Sequence, residues 1–591
     1  MNRRRTLLWL GALTLAFSFR LAYGLTSLFW TEDERQVYLI GLRSFARGGW
    51  PAFGADVVWT GSQLPGALQA MLVRWPLQLW PIPESPFVLL NALSFGTLAL
   101  LAWYIRRRVP EIPAWLAWCA LLTLPWTLNF STHVVNTSYI LPGAIVFFVG
   151  FFEAAPLFRR GLMPSALAWL MMGAGLLFVV QIHMSWVLLP PYVALAAIDL
   201  GRRNPKALGR MAAAFLVGAS LTGCLLAPTL LRYGWTAGGL SRTVQFQPQG
   251  PAMLATIVAR FLSFSAFETN RFLGLDTAER LMFLRRQPWV VPFVLFTTIV
   301  GFVQPVAMAM TWFRRSDGDS GWIRMRWLTV GTVLWIYGSF FLSVRGPLAH
   351  AFYIVFPVSA LYGAYCWRAF VVTPVSGHRF DRSGVWVKRI AAVTLVSGVL
   401  MHAGLAIDRA PSRSLYRDRA LVQAAISTPN DRFLGDRRDS LIETQDRRAR
   451  PMDPVPDREA YDHVDARKDL VLLQQDWRPT LGGRVSRFVI SIHNVSTAAA
   501  YLDIRYSAEY FSAAGTPLVT REGAIKEILQ PGQTRTWPDL SDGMVPQSAA
   551  TTRFSIVSAE KCIPARTSQR VDRNSRMEPS TNAIVMAAVA Q

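Results

Sequence analysis

Cysteine, histidine and acidic residues are all scarce in this 591-residue chain, and each shortage removes a class of chemistry. Three of the four cysteines, Cys119, Cys224 and Cys366, lie inside apolar runs. Cys562 stands alone in a polar tail, so no disulfide framework or metal-type spacing is present. The seven histidines include no HExxH and no clustered His/Asp spacing, which excludes the common zinc signatures. Charged residues make up only 16% of the chain against 52% hydrophobic. In their place are repeated apolar runs about twenty residues long, the length that crosses a bilayer's hydrocarbon core, so the sequence reads as an integral membrane protein. Acids number 37 against 60 Lys and Arg, a net charge of +23. This excess does not point to nucleic acid, because the arginines gather at the ends of apolar runs as short cytoplasmic loops do.

The start, MNRRRTLLWLGALTLAFSF, looks like a signal peptide, but the apolar run continues through Phe29 without a small-residue cleavage site. It therefore reads as an uncleaved first span with a cytoplasmic amino end. Further spans are expected near 86–105, 112–131, 139–157, 165–182, 186–200, 209–231, 289–312, 326–344, 351–369 and 389–407, about eleven in all. The intervening inner loops contain RRR at 106–108, RR at 159–160 and GRRNPK at 201–206, in agreement with the positive-inside rule.

Two long outer loops are too apolar to be linkers. In residues 30–85, an amphipathic segment around Val37 to Phe45 and the interrupted SQLPGALQAMLVRWPLQLW are both expected to lie along the membrane surface. The loop 233–288 carries Arg242, Arg260, Arg271, Arg280, Arg285 and Arg286, an outer-side basic excess that opposes the topology rule. After about residue 408 a polar connector, partly helical around Ala420 to Ser427, leads to period-two runs: Phe488, Ile490, Ile492, then Leu502, Ile504, Tyr506. With turn signals SAAGTP and LQPGQT these imply a small antiparallel sandwich. The expected organisation is a transmembrane unit at 1–407, a connector at 408–468, an extracytoplasmic sandwich at 469–565 and a tail at 566–591.

The candidate site begins at Glu32, Asp33 and Glu34, three consecutive acids just past the first span. A carboxylate near lipid costs free energy unless it is paired, solvated or used. Held beside an acceptor hydroxyl, it serves as a general base. Tyr38 falls one helical turn after Glu34, and Asp56 follows in the same loop. Arg20 lies within the first span, where an unpaired cation would cost roughly 2.5–3.5 kcal/mol, so it must face the bundle interior as a packing contact or a cavity-lining residue. His133, His183 and His350 fall at outer ends of spans. Arg345, His350 and Tyr353 form a group suited to an anionic leaving group, with Arg271, Arg285 and Arg286 as further cations.

A span with an internal arginine, then EDERQVYLIGLRSFARGGWP, then SQLPGALQAMLV, resembles the first outer loop of GT-C-type membrane glycosyltransferases, nearest in pattern to protein O-mannosyltransferases and lipid A aminoarabinose transferases. The resemblance covers about residues 1–407 and implies a GT-C-like helical fold. It also implies inverting transfer of a sugar from a polyprenyl-phosphate carrier to a lipid, glycan or protein acceptor at the outer face of a bacterial cytoplasmic membrane. Asp33 is then the favoured catalytic acid with Glu34 its neighbour or substitute, and the choice among Glu32, Asp33 and Glu34 stays open. No cofactor is required, and a divalent metal remains compatible. The C-terminal sandwich is similar to immunoglobulin-like extracellular modules. The rival reading is a lipid-linked glycan transporter or flippase, against which stand the lack of duplicated halves and the gathering of polar candidates at one face.

Overall fold

The computed structural model describes residues 3–28, 32–57, 62–155, 157–158, 161–234, 246, 248, 250–263, 269–274, 277–313, 320–343, 353–371, 383–427, 466–479, 485–496, 499–544, 546 and 548–562. The chain divides into a helical unit that includes Met1–Leu273 and Phe283–Gln445 and a second unit that includes Gly274–Met282 and Asp446–Ala583.

The helical unit runs α1 (Arg3–Thr26), α2 (Glu32–Arg47), the hairpin β1 (Phe53–Val57) and β2 (Ser62–Pro65), α3 (Leu68–Leu79), α4 (Ser85–Arg108), α5 (Ala114–Thr123), α6 (Pro125–Asn129), α7 (Ile140–Ala154), α8 (Ser165–Val180), α9 (Pro190–Arg203) and α10 (Leu208–Gly223). The chain continues through α11 (Ala227–Tyr233), α12 (Pro251–Leu262), α13 (Thr269–Leu273), α14 (Thr277–Arg286), α15 (Val291–Met310), α16 (Ser320–Phe340), α17 (Phe356–Val371), α18 (Ser383–Arg409) and α19 (Leu415–Ser427). Among the described residues, the apolar runs expected to span are mostly helical. Among the described residues seven helical stretches are long and apolar enough to cross a membrane: Thr6–Thr26, Ser85–Arg108, Asn136–Ala154, Met184–Arg203, Pro205–Tyr233, Pro288–Phe313 and Gly384–Arg409. Large apolar side chains stay exposed along them, such as Leu7, Leu8 and Leu15 of α1 and Leu295, Phe302 and Val306 of α15. Such a surface is costly in water and suited to lipid.

The run at 112–131 is not one helix. Leu124 adopts an extended conformation (φ −58°, ψ 144°) because the ring of Pro125 disfavours helix at the residue before it, and the run splits into α5 and α6.

The first long loop forms two helices and a hairpin. At twelve residues α3 reaches about 18 Å, too short for the hydrocarbon core. α2 packs Val37, Ile40 and Gly41 inward, with Gly41 directly against Val73 of α3. The hairpin is pinned to the α10–α11 junction: the Ala67 amide donates to the Leu225 carbonyl (2.9 Å) and the Gly66 amide to Thr229 Oγ1 (2.8 Å). Gly66 takes φ +94° there, a conformation that favours glycine.

α7, α8 and α10 pack through small residues. Gly218 of α10 lies against the Leu170 backbone and Gly173 of α8 against that of Phe215, while Gly143 and Gly175 face each other between α7 and α8. Between lipid-embedded helices, close backbone approach replaces the hydrophobic drive that water would supply.

In the second unit β3 (Leu470–Pro479), β4 (Val485–Asn494), β5 (Ala500–Ser512), β6 (Pro517–Ile525), β7 (Thr534–Met544) and β8 (Ala549–Cys562) form two three-stranded antiparallel sheets, ordered β3-β4-β7 and β6-β5-β8. Phe488, Ile490 and Ile492 and, opposite them, Tyr501, Ile504 and Tyr506 are buried in one core, where Phe554 stacks on Tyr506 at 4.6 Å and meets Phe488 at 5.5 Å; Leu502, expected in this row, lies outside that core because the register shifts at Asp503, which takes φ +52°. The SAAGTP and LQPGQT turns place Gly515 and Gly532 at φ +78° and +70°.

Replacing Gly218 by valine forces α8 and α10 apart. It should destabilise the helical unit by about 1–3 kcal/mol, read as a lower midpoint of thermal unfolding in detergent, whereas the same change at Gly331, which faces open space, should leave the midpoint near the native value.

Candidate functional site

One edge of α1 holds the chain that follows α5, turn by turn. Arg20, fully buried, donates through Nη1 to the Leu122 carbonyl (2.8 Å) and the Thr127 carbonyl (3.4 Å), and through Nη2 to Ser131 Oγ (2.7 Å). Leu122 lies in the last turn of α5 and Thr127 in that of α6, and the last carbonyls of a helix have no partner within it. One turn on, the Tyr23 hydroxyl donates to Asn129 Oδ1 (3.2 Å), and Gly24 lets the Thr132 backbone lie directly against α1. A further turn on, Ser27 meets His133 Nε2 at 3.1 Å, while His133 Nδ1 lies 3.1 Å from the Asn129 carbonyl. Arg20 is thus bound by backbone oxygens, and its role is to fix packing.

His133 is buried among these groups. Desolvation pushes its pKa down to about 4, the nearby Arg409 charge adds to the effect, and the bonds to the Asn129 and Ser27 carbonyls only partly oppose it.

On the other side of Tyr23 stands α18. The His402 ring meets that of Tyr23 edge-on at 4.9 Å and donates through Nδ1 to the Gly398 carbonyl (2.8 Å). Two turns later Arg409, 5% exposed, donates to the Phe272 carbonyl of α13 (2.6 Å) and lies close enough to Tyr23, His133 and His402 to act on all three electrostatically.

The first turn of α2 reaches the same place. Glu34 is 5% exposed and is a second charged neighbour of the Tyr23 hydroxyl. With Tyr38, one turn along the same helix face, it lines a cavity of about 20 Å³ whose other walls are Leu28, Phe87, Val134, Leu415 and Val422. That is room for about one water molecule. The Tyr38 hydroxyl donates to the Pro83 carbonyl (2.9 Å), and burial among carboxylate and phenol neighbours raises its pKa. α19, which supplies Leu415 and Val422, is tied down by Arg419 on Glu84 (2.5 Å) and by Gln423 on the Pro81 carbonyl (3.1 Å).

Of the residues singled out from the sequence, Glu34 and Tyr38 come together at the cavity, and Arg20, His133 and Tyr353 gather around 126–133, where the Tyr353 ring lies 5.8 Å from those of Trp126 and Phe130. Glu32 and Asp33 open α2 and Asp56 lies in β1 opposite Gln63, but their side chains, like Arg345, His350 and Arg242 altogether, lie outside the described residues. His183 caps the turn at Met184–Leu188 by accepting from the Ser185 amide, a local structural task. Arg271 and Arg285 are exposed, and Arg286 is engaged by both carboxylate oxygens of Asp408 at 2.7 and 2.8 Å, so it joins α14 to α18. Sequence reasoning passed over Tyr23, His402 and Arg409. A signal existed: Arg409 is a cation at the outer end of the last expected span, against the topology rule, and shares a helix face with His402.

No protein-family model matches the sequence, and no curated protein matches it either. Solved structures to which the chain is similar include ArnT from Cupriavidus metallidurans bound to undecaprenyl phosphate, at 13% identity and TM-score 0.40 over 72% of this chain and 78% of that one. Arabinosyltransferase EmbB from Mycobacterium smegmatis is similar at 11% identity and TM-score 0.34, over 94% of this chain and 62% of that one.

Because His133 is held neutral, unfolding takes up a proton at pH values below its ordinary pKa. The stability it protects is complete above about 6.5 and is lost as pH falls from there through about 4. The thermal midpoint of the native protein should therefore drop across this window more steeply than that of His133→Gln; parallel curves would show that His133 does not titrate on unfolding.

Proposed function

We propose that the chain is an inverting glycosyltransferase that moves a sugar from a polyprenyl-phosphate carrier to an acceptor hydroxyl or amine at the outer face of the bacterial cytoplasmic membrane. The observation that carries this reading is the buried carboxylate of Glu34 on the first turn of α2, set beside Tyr23 and facing a polar junction that includes a buried arginine, at the place where the sequence resembles GT-C glycosyltransferases. A carboxylate is retained in such surroundings at a cost, which use as a base explains.

In this mechanism the acceptor's O–H or N–H proton passes to a carboxylate of the Asp33–Glu34 pair as the acceptor attacks the anomeric carbon. The bond from that carbon to the phosphate oxygen breaks, its electron pair stays on the polyprenyl phosphate, and the configuration inverts. Glu34, which is buried, is the base, and Asp33 is the second carboxylate of the pair. Arg345 and His350 take the departing phosphate, because cationic donors stabilise the charge that develops there. The chemistry requires no metal or cofactor.

Membranes containing the native protein should transfer label from a radiolabelled polyprenyl-phosphate sugar pool to endogenous acceptors. Glu34→Gln should lower the rate by about 10²–10⁴-fold at unchanged abundance, and a fully active Glu34→Gln would remove it as the base. Loss in Asp33→Asn alone would pass that role to Asp33, and label crossing the membrane without a new glycosidic bond would replace the transferase by a transporter. Arg345→Ala should raise the donor concentration needed for half-maximal transfer; an unchanged dependence would remove Arg345 from the donor site.

A further inference from the structure

We infer that α19 is a lid over the Glu34 cavity, latched by Arg419 on Glu84 and by Gln423 on the Pro81 carbonyl, and that an acceptor reaches the carboxylate only when this helix lifts. The lid itself rests on geometry, and its part in catalysis rests on the transfer reading.

The cavity is too small for the work proposed for it. At about 20 Å³ it holds about one water molecule, and Glu34 is 5% exposed, so an acceptor the size of a sugar has no room at the carboxylate while α19 is seated. One wall has to move. Leu28 follows α1 and Phe87 lies on α4, both helices of span length. Val134 follows Thr132 and His133, which lie against the end of α1, and Glu34 and Tyr38 belong to α2, which packs on α3. The remaining wall residues, Leu415 and Val422, come from α19, a helix of 13 residues joined to α18 by the short turn 410–414. Leu415 and Ile426 are buried at its two ends, while Tyr416 and Ala420 face outward and are exposed.

Polar contacts fasten α19 to its seat. Arg419 and Gln423 are one helical turn apart and so share a face. Both reach the turn between α3 and α4: Arg419 Nε donates to Glu84 Oε1 (2.5 Å), Arg419 Nη2 to Glu84 Oε2 (3.4 Å) and Gln423 Nε2 to the Pro81 carbonyl (3.1 Å). The same turn accepts the Tyr38 hydroxyl at the Pro83 carbonyl (2.9 Å). Residues 81–84 are thus one seat, shared by the lid and by the helix that carries Glu34. The ion pair is open to water, with the Arg419 side chain 42% exposed and that of Glu84 14%. Such a pair favours contact by only about two- to five-fold, which suits a latch that has to open in every turnover. Closed, the helix keeps water from competing with the acceptor for the donor sugar.

The test is the rate at which a membrane-impermeant maleimide labels Val134→Cys in the purified full-length protein in detergent, read by peptide mass spectrometry so that the native cysteines do not interfere. Tyr416→Cys, on the outward face of α19, is the reference. Position 134 should label far more slowly than position 416. Arg419→Gln or Glu84→Gln should speed labelling at 134 by about two- to five-fold, and Arg419→Gln with Gln423→Ala by about 5–25-fold, while the rate at 416 stays the same. Raising salt from about 0.05 to 1 M should accelerate labelling at 134 with the latch residues intact, because it screens the exposed pair. Equal rates at 134 and 416, or a rate at 134 that neither the latch substitutions nor salt changes, would overturn the inference. Bridging Glu84→Cys/Arg419→Cys with a short bifunctional thiosulfonate should stop transfer and reduction should restore it; a bridged protein that transfers as fast as the reduced one would take the lid off the acceptor's route. Latch-dependent labelling in a protein that transfers no sugar would leave the lid standing and remove the proposed function. Latch-independent labelling in an active enzyme that needs Glu34 would do the reverse.

Discussion

Much of the helical unit depends on how one buried cation is satisfied. Pro125 breaks an apolar run, and α5 and α6 each end on backbone carbonyls in a setting where water is not at hand to bind them. Arg20 answers that need from α1: it binds the Leu122 and Thr127 carbonyls and Ser131, and in doing so removes its own cost of lying within a span. Thr132 and His133 satisfy the Leu128 and Asn129 carbonyls by the same logic. Neither partner is tolerable alone, so the irregular stretch 124–133 and α1 are held as one piece.

That piece supplies the wall against which the polar residues at the end of the bundle assemble. Tyr23 is its centre: Asn129 and His133 meet it from one side, His402 and Arg409 from another, and Glu34 arrives from the first turn of α2. α2 is in turn positioned by contact with α3, and the hairpin between them by its bonds to the α10–α11 junction. A carboxylate placed by one loop and a cation placed by the last long apolar helix thus both come near a phenol of the first.

The local features of this arrangement were legible in sequence because each follows from a short-range rule. Apolar runs of sufficient length become helices, and period-two alternation places Phe488, Ile490 and Ile492 in a sheet core. The one-turn spacing of Glu34 and Tyr38 puts both on the same face of α2, where the cavity lies. Arg20 could be assigned to the interior from cost alone, but not its partners, since carbonyls carry no mark in a sequence. The cluster of arginines at 271, 285 and 286 misdirected attention: Arg271 and Arg285 are exposed, and Arg286 is bound to Asp408, whereas Arg409, read as a flank of the last span, is the one buried at the junction.

By itself, the sequence determined that this chain is built of long apolar helices followed by an antiparallel β unit, and that acids follow the first span. Length, hydropathy and alternation act over a few residues and survive without knowledge of neighbours. Only the tertiary structure decided that Glu34 is buried, that Arg409 is buried near Tyr23 and which histidine is held neutral. Those properties depend on desolvation and on charges contributed by helices hundreds of positions apart, and electrostatic interaction is set by distance in space rather than along the chain.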